Sequence, residues 1–270
     1  MISSLNRTIN TEENTVNTVI IITIIGTPIS CRRVMTIIDF HTHVLPNMDD
    51  GSTGAEESVE MLKMMSRQGI KAVAATSHFD MRKETVSGFL TRREKALSLI
   101  EKRADLPQII PGAEVLCSGL PIGFLEDIES LCIGTTKHIL IETHLSGWTD
   151  GLKNEMLELM CVRGITPIIA HIERYCAKRS NLKTIRELKA AGAVLQMNAS
   201  SFVHRSTRKR ALRLLERENV DLICSDCHGV SVRMPNLSEG MSIIRQSLGD
   251  KVADNLIANA QRIFEMGRIE

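Results

Sequence analysis

The sequence predicts an α/β fold in which seven parallel strands close into an irregular barrel. Seven short runs of apolar, largely β-branched residues recur along the chain, as is typical of fully buried parallel strands. Amphipathic helical stretches separate these runs, and three stretches end at a glycine, namely Gly69, Gly164 and Gly192. A repeated β–α rhythm of this kind indicates a parallel sheet covered by helices.

The predicted elements follow one another from Met35 to the C-terminus. The strands are Thr36–Asp39, Ala72–Ala75, Gln108–Pro111, His138–Ile141, Pro167–Ala170, Val194–Met197 and Leu222–Cys224. The helices are Ala55–Arg67, Glu84–Arg103, Gly151–Arg163, Leu182–Ala191, Arg208–Glu218, Ser238–Gln246 and Lys251–Phe264. No linker, low-complexity tract or repeat interrupts them, so residues 35–270 are predicted to form one domain.

The composition argues against several classes of protein. Apolar residues make up 43% of the 270 residues and charged residues 24%, which indicates a globular chain with a substantial core. A net charge of +1 and 3% aromatic residues predict neither a nucleic-acid surface nor a surface for anionic membranes. Seven scattered cysteines form no disulfide framework, which favours a reducing, cytoplasmic location.

Residues 1–34 differ in composition from the rest of the chain. The apolar run within Val16–Ile29 is shorter than the roughly 20 residues that span a bilayer, so no stable membrane insertion is expected. Arg7 is offset by two glutamates, whereas a signal peptide has a basic first region. We expect an unstructured extension, or an upstream start codon with Met35 as the working start; a weak anchor or export signal is the alternative.

Polar side chains follow every predicted strand. In chain order they are His41, His43, Asp49 and Asp50, then Ser77 and His78, then Glu114, then Glu142 and His144, then His171, Glu173 and Arg174, then Asn198, and last Asp226 and His228. The C-terminal ends of barrel strands meet on one face, where active sites form. Six of the eight histidines fall just past a predicted strand end. These side chains are therefore predicted to meet at one site.

The residue types at this site indicate divalent metal ions. Neutral imidazole and carboxylate together suit zinc, manganese or iron. His41 and His43 are two residues apart, which points both side chains the same way on an extended segment. The set exceeds the needs of one four-coordinate ion, so two or three ions are predicted. Such ions, about 3.5–4 Å apart, assist phosphoryl hydrolysis, and the sequence therefore predicts a phosphate monoesterase.

Arg174 and Arg233 are candidates for holding the phosphate. Arg174 lies three residues after His171, and Arg233 lies in the loop that follows His228. A guanidinium group matches a phosphate with two parallel hydrogen bonds. For either arginine, a surface salt bridge is the alternative.

Several strings of the sequence resemble the PHP (polymerase and histidinol phosphatase) superfamily. They are DFHTHVLPNMDDG, TSH, PGAE, PIIAHIERY, QMN and SDCHG. The DDG and AHIERY strings are similar to the bacterial PHP-type protein-tyrosine phosphatases of capsular and exopolysaccharide clusters. The resemblance runs from about Met35 to the C-terminus and implies a distorted seven-stranded, TIM-like (β/α) barrel. It also implies that the substrate is phosphotyrosine on a tyrosine kinase that controls polysaccharide chain length.

The resemblance further implies three ions, most commonly manganese, with iron or zinc as alternatives. The first ion would be held by His41, His43, Glu114 and Asp226, the second by Glu114, Glu142 and His171, and the third by Asp50, His78 and His228. Arg174 and Arg233 would match the catalytic arginines that grip the phosphate. The chain departs from the family in its extension over residues 1–34 and in the loop after His78, which lacks a basic and aromatic character. The loop GVSVRMPN around Arg233 also differs from the Gly-Arg-Pro-Pro-like string expected there.

Four other interpretations remain open from the sequence. Cys227 and Arg233 form a Cys-x5-Arg spacing, as in thiolate tyrosine phosphatases, although Pro235 follows too soon for a phosphate loop that leads into a helix. Cys224 and Cys227 form a Cys-x-x-Cys spacing, but an apolar strand favours a buried thiol over a redox pair. The same metal site suits histidinol phosphate or another small phosphomonoester. A protein that only binds the kinase is the non-enzymatic alternative.

Overall fold

A computed structural model describes residues 36–100, 103–117, 122–145 and 148–266. The predicted extension over residues 1–34 lies outside these residues. The strands are β1 Ile37–Thr42, β2 Ile70–Ala75, β3 His78–Phe79, β4 Gln108–Pro111, β5 Glu114–Cys117, β6 His138–Thr143, β7 Thr166–Ile169, β8 Val194–Asn198 and β9 Leu222–Cys224. The helices are α1 Ala55–Arg67, α2 Val86–Ser98, α3 Asp150–Val162, α4 Arg179–Ala191, α5 Ser200–Val203, α6 Arg205–Glu218, α7 Leu237–Leu248 and α8 Asp250–Met266. Short 3-10 turns cover Ile122–Phe124, Ile128–Leu131 and Ile172–Arg174.

The strands form a curled parallel sheet in a mixed α/β fold. β1, β2 and β4 pair in that order, and β3, β5, β6, β7, β8 and β9 form a second run. Every pairing between these strands is parallel. The curl brings the last strand back to the first, because the amide of His43 donates to the carbonyl of Cys227 and the amide of Asp226 donates to the carbonyl of His41, each at 2.9 Å.

Alternate strand residues pack on opposite faces of the sheet, as the period of two requires. One face packs under the helices and includes Val73, Ile141 and Ile223. The other face holds a smaller apolar cluster that includes Leu140 and Cys224. Every second residue of a strand lies on this second face, and at the C-terminal ends of the strands the residues on this face are polar. The apolar cluster therefore supports the polar site directly.

Many predicted ends are shifted by one to three residues, and β1 runs on to Thr42, so that His41 lies within it and not after it. Larger differences occur in four places. The predicted helix Glu84–Arg103 is wrong at both ends: α2 begins after Thr85, whose side chain caps the helix by accepting from the amide of Gly88, and ends at Ser98. β3 and β5 were not predicted, and Glu114 therefore lies within a strand and not after one. The four-residue helix α5 was also missed. Each missed element is too short to show a hydrophobic period.

His138, at the start of β6, makes the fold sensitive to acid. Its side chain is buried, and its Nδ1 atom has no hydrogen-bond partner within the described part of the chain. Burial lowers the pKa of His138 from 6.5 to about 4. A histidine with a lowered pKa stabilises the fold above pH 6.5, and this contribution is lost as the pH falls towards 4. We expect the free energy of unfolding to be about 2 kcal/mol lower at pH 5 than at pH 7 because of His138.

Urea unfolding at both pH values in chelator measures this cost. In the His138→Gln variant the loss of unfolding free energy between pH 7 and pH 5 is expected to be smaller by that amount. The control is His204→Gln, at an exposed position, which is expected to leave the pH dependence unchanged. An identical loss in wild type and His138→Gln would show that His138 is not the cause.

Candidate metal centre

The site forms where the C-terminal strand ends converge. Glu142 lies two residues after Leu140 on the same face of β6, and Asp226 lies two residues beyond Cys224. In β1 the register of pairing with β2 shifts between Asp39 and Thr42, and the histidines of the His-x-His pair lie at and just after this irregularity. Local backbone irregularity therefore adds His41 and His43 to a face that regular alternation alone would not give them.

The first group of ligand atoms comes from His41, His43 and Glu114, and Asp226 lies next to both histidines. The Nε2 atoms of His41 and His43 lie 3.2 Å apart. Glu114 Oε2 lies 3.1 Å from the first nitrogen and 3.2 Å from the second, and Asp226 Oδ1 lies 3.3 Å and 3.5 Å from them. Four ligands at about 2.0–2.1 Å from a tetrahedral zinc-type ion are about 3.3–3.4 Å apart. These side chains are buried, and the two imidazole nitrogens already lie at about that spacing from each other and from an oxygen of each carboxylate.

A second group of ligand atoms lies around Glu114 and Glu142. His171 Nε2 lies 3.1 Å from Glu114 Oε1 and 3.6 Å from Glu142 Oε1. His78 Nδ1 lies 3.2 Å from Glu114 Oε2 and 3.6 Å from Glu142 Oε2. The two oxygens of Glu114 thus face different sets of ligand atoms, which is the placement that a bridging carboxylate needs.

The third group lies at the open edge of the site. Asp50 Oδ1 is 3.5 Å from His78 Nε2 and 3.4 Å from His228 Nε2. His43 stacks on His228 with ring centroids 3.8 Å apart, and one ligand atom from each of these four residues falls within 4.8 Å of the others. The side chain of Asp50 is 65% exposed and that of His78 is 38% exposed. This group is therefore the most accessible to solvent and to substrate.

Unpartnered atoms show that the residues fit metal cations. Glu114 Oε2 and His228 Nε2 are buried and have no hydrogen-bond partner in the described part of the chain. Three histidine nitrogens crowd Glu114 Oε2 without hydrogen-bond geometry. Buried polar atoms are costly unless something satisfies them, and a cation between them accepts electron pairs from nitrogen and oxygen alike.

The charges within the cluster oppose one another when no cation is bound. Burial lowers the pKa of His43, but the hydrogen bond to Asp49 and the neighbouring carboxylate of Glu114 outweigh it and raise that pKa to about 10. Burial, together with the charge on Glu114, raises the pKa of Glu142 to about 7. Burial, the charge on His43 and the charge on Arg233 lower the pKa of His228 to about 4. Ligands must lose their protons to bind metal, so cation binding releases protons and strengthens as the pH rises.

Both predicted phosphate-binding arginines reach the metal-ligand group. Arg174 Nη2 lies 2.8 Å and Arg233 Nη2 lies 2.7 Å from Asp226 Oδ2. Each arginine side chain remains more than one-third exposed. The backbone of Arg233 adopts a left-handed conformation at φ 50°, and its carbonyl accepts from the amide of His228 at 2.9 Å. This hydrogen bond closes the loop between His228 and Arg233, and the loop holds the Arg233 guanidinium group at the site.

Comparisons with known proteins identify the family. The family model for capsular polysaccharide synthesis, CpsB/CapC, matches residues 37–265. The chain belongs to the CpsB/CapC family. The tyrosine-protein phosphatase CpsB of Streptococcus agalactiae serotype V is 31% identical over 245 residues, which cover 85% of this chain and 98% of that protein. The tyrosine-protein phosphatase YwqE of Bacillus subtilis is 29% identical over 239 residues, which cover 84% of this chain and 91% of that protein.

A solved structure gives the same result at the level of the fold. It comes from work on YwqE of Bacillus subtilis and CpsB of Streptococcus pneumoniae, described there as unique metal-dependent tyrosine phosphatases. It matches with a TM-score of 0.71 at 26% identity, and the match covers 85% of this chain and 95% of that one. The resemblance to PHP-type tyrosine phosphatases inferred from the sequence motifs is therefore confirmed.

The geometry of this CpsB/CapC-family chain argues against thiol chemistry. Cys227 and Cys224 are both fully buried. Burial, with the charge on Asp39, raises the pKa of the Cys227 thiol far above its usual range and that of Cys224 well above it. A nucleophilic or redox-active cysteine needs an accessible thiolate. The Cys-x5-Arg and Cys-x-x-Cys spacings are therefore structural in this protein.

The structure also shows residues that position the ligands. His43 Nδ1 donates to Asp49 Oδ2 at 2.8 Å. Gln196 Oε1 accepts from the amide of His171 at 2.7 Å and from His41 Nδ1 at 3.3 Å. Gln196 was missed by sequence reasoning, although an amide within the apolar string VLQMN is a signal that a buried polar partner exists.

The chain of contacts continues from Gln196 to a ligand. Its Nε2 donates to Asn198 Oδ1 at 2.9 Å, and Asn198 Nδ2 donates to Asp226 Oδ2 at 2.6 Å. Asn198, which was predicted at the site, therefore contacts a ligand and belongs to this supporting layer. By contrast, His144 is exposed and falls in none of the ligand groups formed by the described residues. Ser77 is buried, and its hydroxyl has no hydrogen-bond partner in the described part of the chain.

We expect Gln196→Leu to weaken metal binding by about 10- to 100-fold. Leucine has a similar volume but leaves the imidazole of His41 free to rotate and the amide of His171 without its acceptor. Calorimetric titration of chelator-stripped protein with Mn²⁺ measures the affinity. Gln196→Glu keeps the accepting oxygen and is expected to lie closer to wild type. Equal affinities for wild type and Gln196→Leu would contradict the positioning role.

Proposed function

We propose that this protein is a metal-dependent tyrosine-protein phosphatase that acts in capsular or exopolysaccharide synthesis. The observation that carries the proposal is the convergence of histidine and carboxylate ligands at metal-binding distances beside two exposed arginines. The curated CpsB and YwqE relatives are named tyrosine-protein phosphatases. The family match spans residues 37–265, which include every residue of the candidate site.

The proposed ligand sets are those that the resemblance to the PHP-type phosphatases implies. His41, His43, Glu114 and Asp226 would hold a first ion, Glu114, Glu142 and His171 a second, and Asp50, His78 and His228 a third. Manganese is the proposed metal, with iron and zinc as alternatives that the same donor atoms accept. When bound, such ions polarise phosphoryl oxygens and supply a nucleophile at neutral pH.

The chain's own residues bind and orient the substrate. Arg174 and Arg233 grip the phosphoryl oxygens, because each guanidinium group has donors beyond the one that contacts Asp226. Their positive charge stabilises the charge that develops on these oxygens during transfer. Asp226 forms an ion pair with each arginine and so keeps both in place. A tyrosyl leaving group has a pKa near 10, so it departs without the strong acid catalysis that an aliphatic alcohol would need.

Four finer statements belong to the same proposal. We infer that the sheet is a distorted seven-stranded barrel, because β2 with β3 and β4 with β5 each read as one interrupted strand. The catalytic domain is taken to be residues 35–270, preceded by the extension. A cytoplasmic location and a tyrosine kinase of polysaccharide synthesis as substrate are also proposed; the location is supported by six free cysteines in the described residues. Within those residues, no helix is long and apolar enough to cross a membrane.

A comparison of two substrates tests the proposed function. Manganese-loaded protein is expected to hydrolyse a phosphotyrosyl peptide with a kcat/KM at least tenfold above that for histidinol phosphate. The reverse order would assign the site to a small phosphomonoester. A protein that binds manganese but hydrolyses neither substrate, nor p-nitrophenyl phosphate, would be a binding protein and not an enzyme.

A further inference from the structure

Basic and acidic residues are distributed very unevenly along the sequence, although the net charge of the chain is small. Residues 178–217 contain eleven lysines and arginines but only two acidic residues, whereas the rest of the chain contains 22 basic and 30 acidic residues. This basic segment includes helices α4 and α6. The net charge of +1 does not show this local excess of positive charge, which can attract a negatively charged partner.

Four cations form a stripe along α6. Arg205, Lys209, Arg213 and Arg217 follow one another at intervals of four residues, which places them on one side of the helix. We call these four residues the basic stripe. All four are exposed, and within the described chain none has a carboxylate within ion-pair distance. The stripe is about 18 Å long at 1.5 Å per residue, which matches five or six residues of an extended peptide.

The basic stripe does not stabilise its own helix. Like charges four residues apart repel one another, and the stripe contains three such pairs. The first turn of α6 has no acidic residue, so Arg205 also opposes the positive end of the helix dipole. The helix is held instead by buried Ala211 and Leu215, and by Glu218, which accepts from Arg186 at 2.7 Å and 2.8 Å. A bound anion would relieve the repulsion that the fold leaves in place.

The stripe begins beside the candidate metal centre. α6 starts seven residues after Asn198, whose side chain donates to Asp226. Glu173, next to the phosphate-binding Arg174, accepts from the hydroxyl of Ser201 in the helix that leads into α6. The N-terminal end of α6 therefore lies at the same end of the sheet as the site, where the strands have their C-terminal ends. A peptide with its phosphotyrosine in the site can continue along the stripe.

We propose that the basic stripe binds acidic residues that flank the phosphotyrosine of the protein substrate. This inference rests on the proposed function and adds the substrate's charge pattern to it. Charge complementarity and continuity with the site favour an acidic peptide over an anionic membrane. Helices that bind membranes insert apolar side chains, and the large exposed apolar residues of the described chain lie outside α4 and α6.

Two phosphotyrosyl peptides test the proposal with manganese-loaded, full-length protein. One peptide carries three glutamates on each side of the phosphotyrosine, and the other carries glutamines. Wild type is expected to show a KM about tenfold lower for the acidic peptide, since several exposed charge pairs add up to this amount. The variant Arg205→Gln/Lys209→Gln/Arg213→Gln/Arg217→Gln is expected to lose this preference, with an unchanged kcat for p-nitrophenyl phosphate. The preference in wild type should also fall as salt is added.

A matched variant keeps the same change of net charge. Lys71, Lys95, Lys137 and Lys251 are exposed and lie outside the stripe, and changing all four to glutamine is expected to retain the preference. An equal preference in the stripe variant would overturn the proposal. The proposal would also be overturned if wild type preferred neither peptide but cosedimented with phosphatidylserine vesicles through the stripe. The stripe would then be a membrane-binding surface.

Binding separates this proposal from the proposed function. The fluorescence anisotropy of a labelled, unphosphorylated form of the acidic peptide reports on the stripe without any turnover. If wild type hydrolyses neither phosphotyrosyl peptide yet binds the acidic probe more tightly than the stripe variant does, the proposed function fails and the stripe remains an acidic-peptide site. If wild type hydrolyses both phosphotyrosyl peptides but binds the acidic probe no more tightly than the stripe variant does, the proposed function stands and the proposal for the stripe fails.

Discussion

Glu114→Gln is expected to lower kcat/KM for a phosphotyrosyl peptide by at least about 1,000-fold and to remove most bound metal. Glu114 Oε2 contacts His41, His43 and His78, and Oε1 contacts His171. Burial raises the pKa of Glu114, but the neighbouring imidazoles, first among them His41, outweigh it and hold that pKa well below its usual range. The wild-type Glu114 side chain is therefore a carboxylate anion surrounded by histidine nitrogens. The neutral amide of glutamine would turn N–H groups towards these nitrogens.

Metal content by elemental analysis and steady-state kinetics together measure this effect. Glu155→Gln is the matched control, because Glu155 is a half-buried carboxylate that contacts Cys117 outside the ligand groups. The control is expected to keep its metal and its activity within about twofold. Circular dichroism checks that Glu114→Gln remains folded. A folded Glu114→Gln protein with full metal content and full turnover would rule out the bridging role.

Arg174→Lys and Arg233→Lys are each expected to lower kcat/KM by about 100- to 1,000-fold while leaving metal content unchanged. Both guanidinium groups contact Asp226 Oδ2 and remain partly exposed to the site. Lysine keeps the charge but cannot contact Asp226 and a phosphate oxygen at once with the planar geometry of a guanidinium group. Because the two arginines share one carboxylate, the double variant is expected to lose less than the product of the single losses.

Kinetics with p-nitrophenyl phosphate and the phosphotyrosyl peptide measure these losses. Arg82→Lys is the control, since Arg82 lies in the loop after β3 but pairs with Asp80 and not with a ligand. It is expected to match wild type within about twofold. A loss of bound metal in Arg174→Lys or Arg233→Lys would mean that these arginines support Asp226 and do not hold phosphate.

Buried strands with apolar centres could be predicted from the sequence. Gln108–Pro111 and Leu222–Cys224 were predicted with their observed bounds, as was helix Ala55–Arg67. In each case one physical signal dominates: a run of buried apolar residues for the strands, and a period of 3.6 for the helix. The convergence of the strand-end histidines and carboxylates followed from the same signal, because parallel strands deliver their C-terminal ends to one face.

Contacts that depend on three-dimensional closure could not be predicted. Sequence reasoning placed His43 and His78 in one group each, but His43 also contacts the third group and His78 also contacts Glu114 and Glu142. The irregular register of β1 and the left-handed backbone of His171 and Asp226 aim these side chains. Gln196 has no special spacing in the sequence, and its role appears only when β8 pairs with β7 and the curled sheet brings the side chain of His41 within reach.

Metal titration during phosphotyrosine hydrolysis tests the central claim most directly. Chelator-stripped protein is titrated with Mn²⁺ while release of phosphate from a phosphotyrosyl peptide is followed. No turnover is expected without metal, and activity is expected to rise to a plateau at two to three equivalents of bound ion. Full hydrolysis by the stripped protein, insensitive to added Mn²⁺, would contradict the assignment of the histidine and carboxylate cluster as the catalytic metal centre.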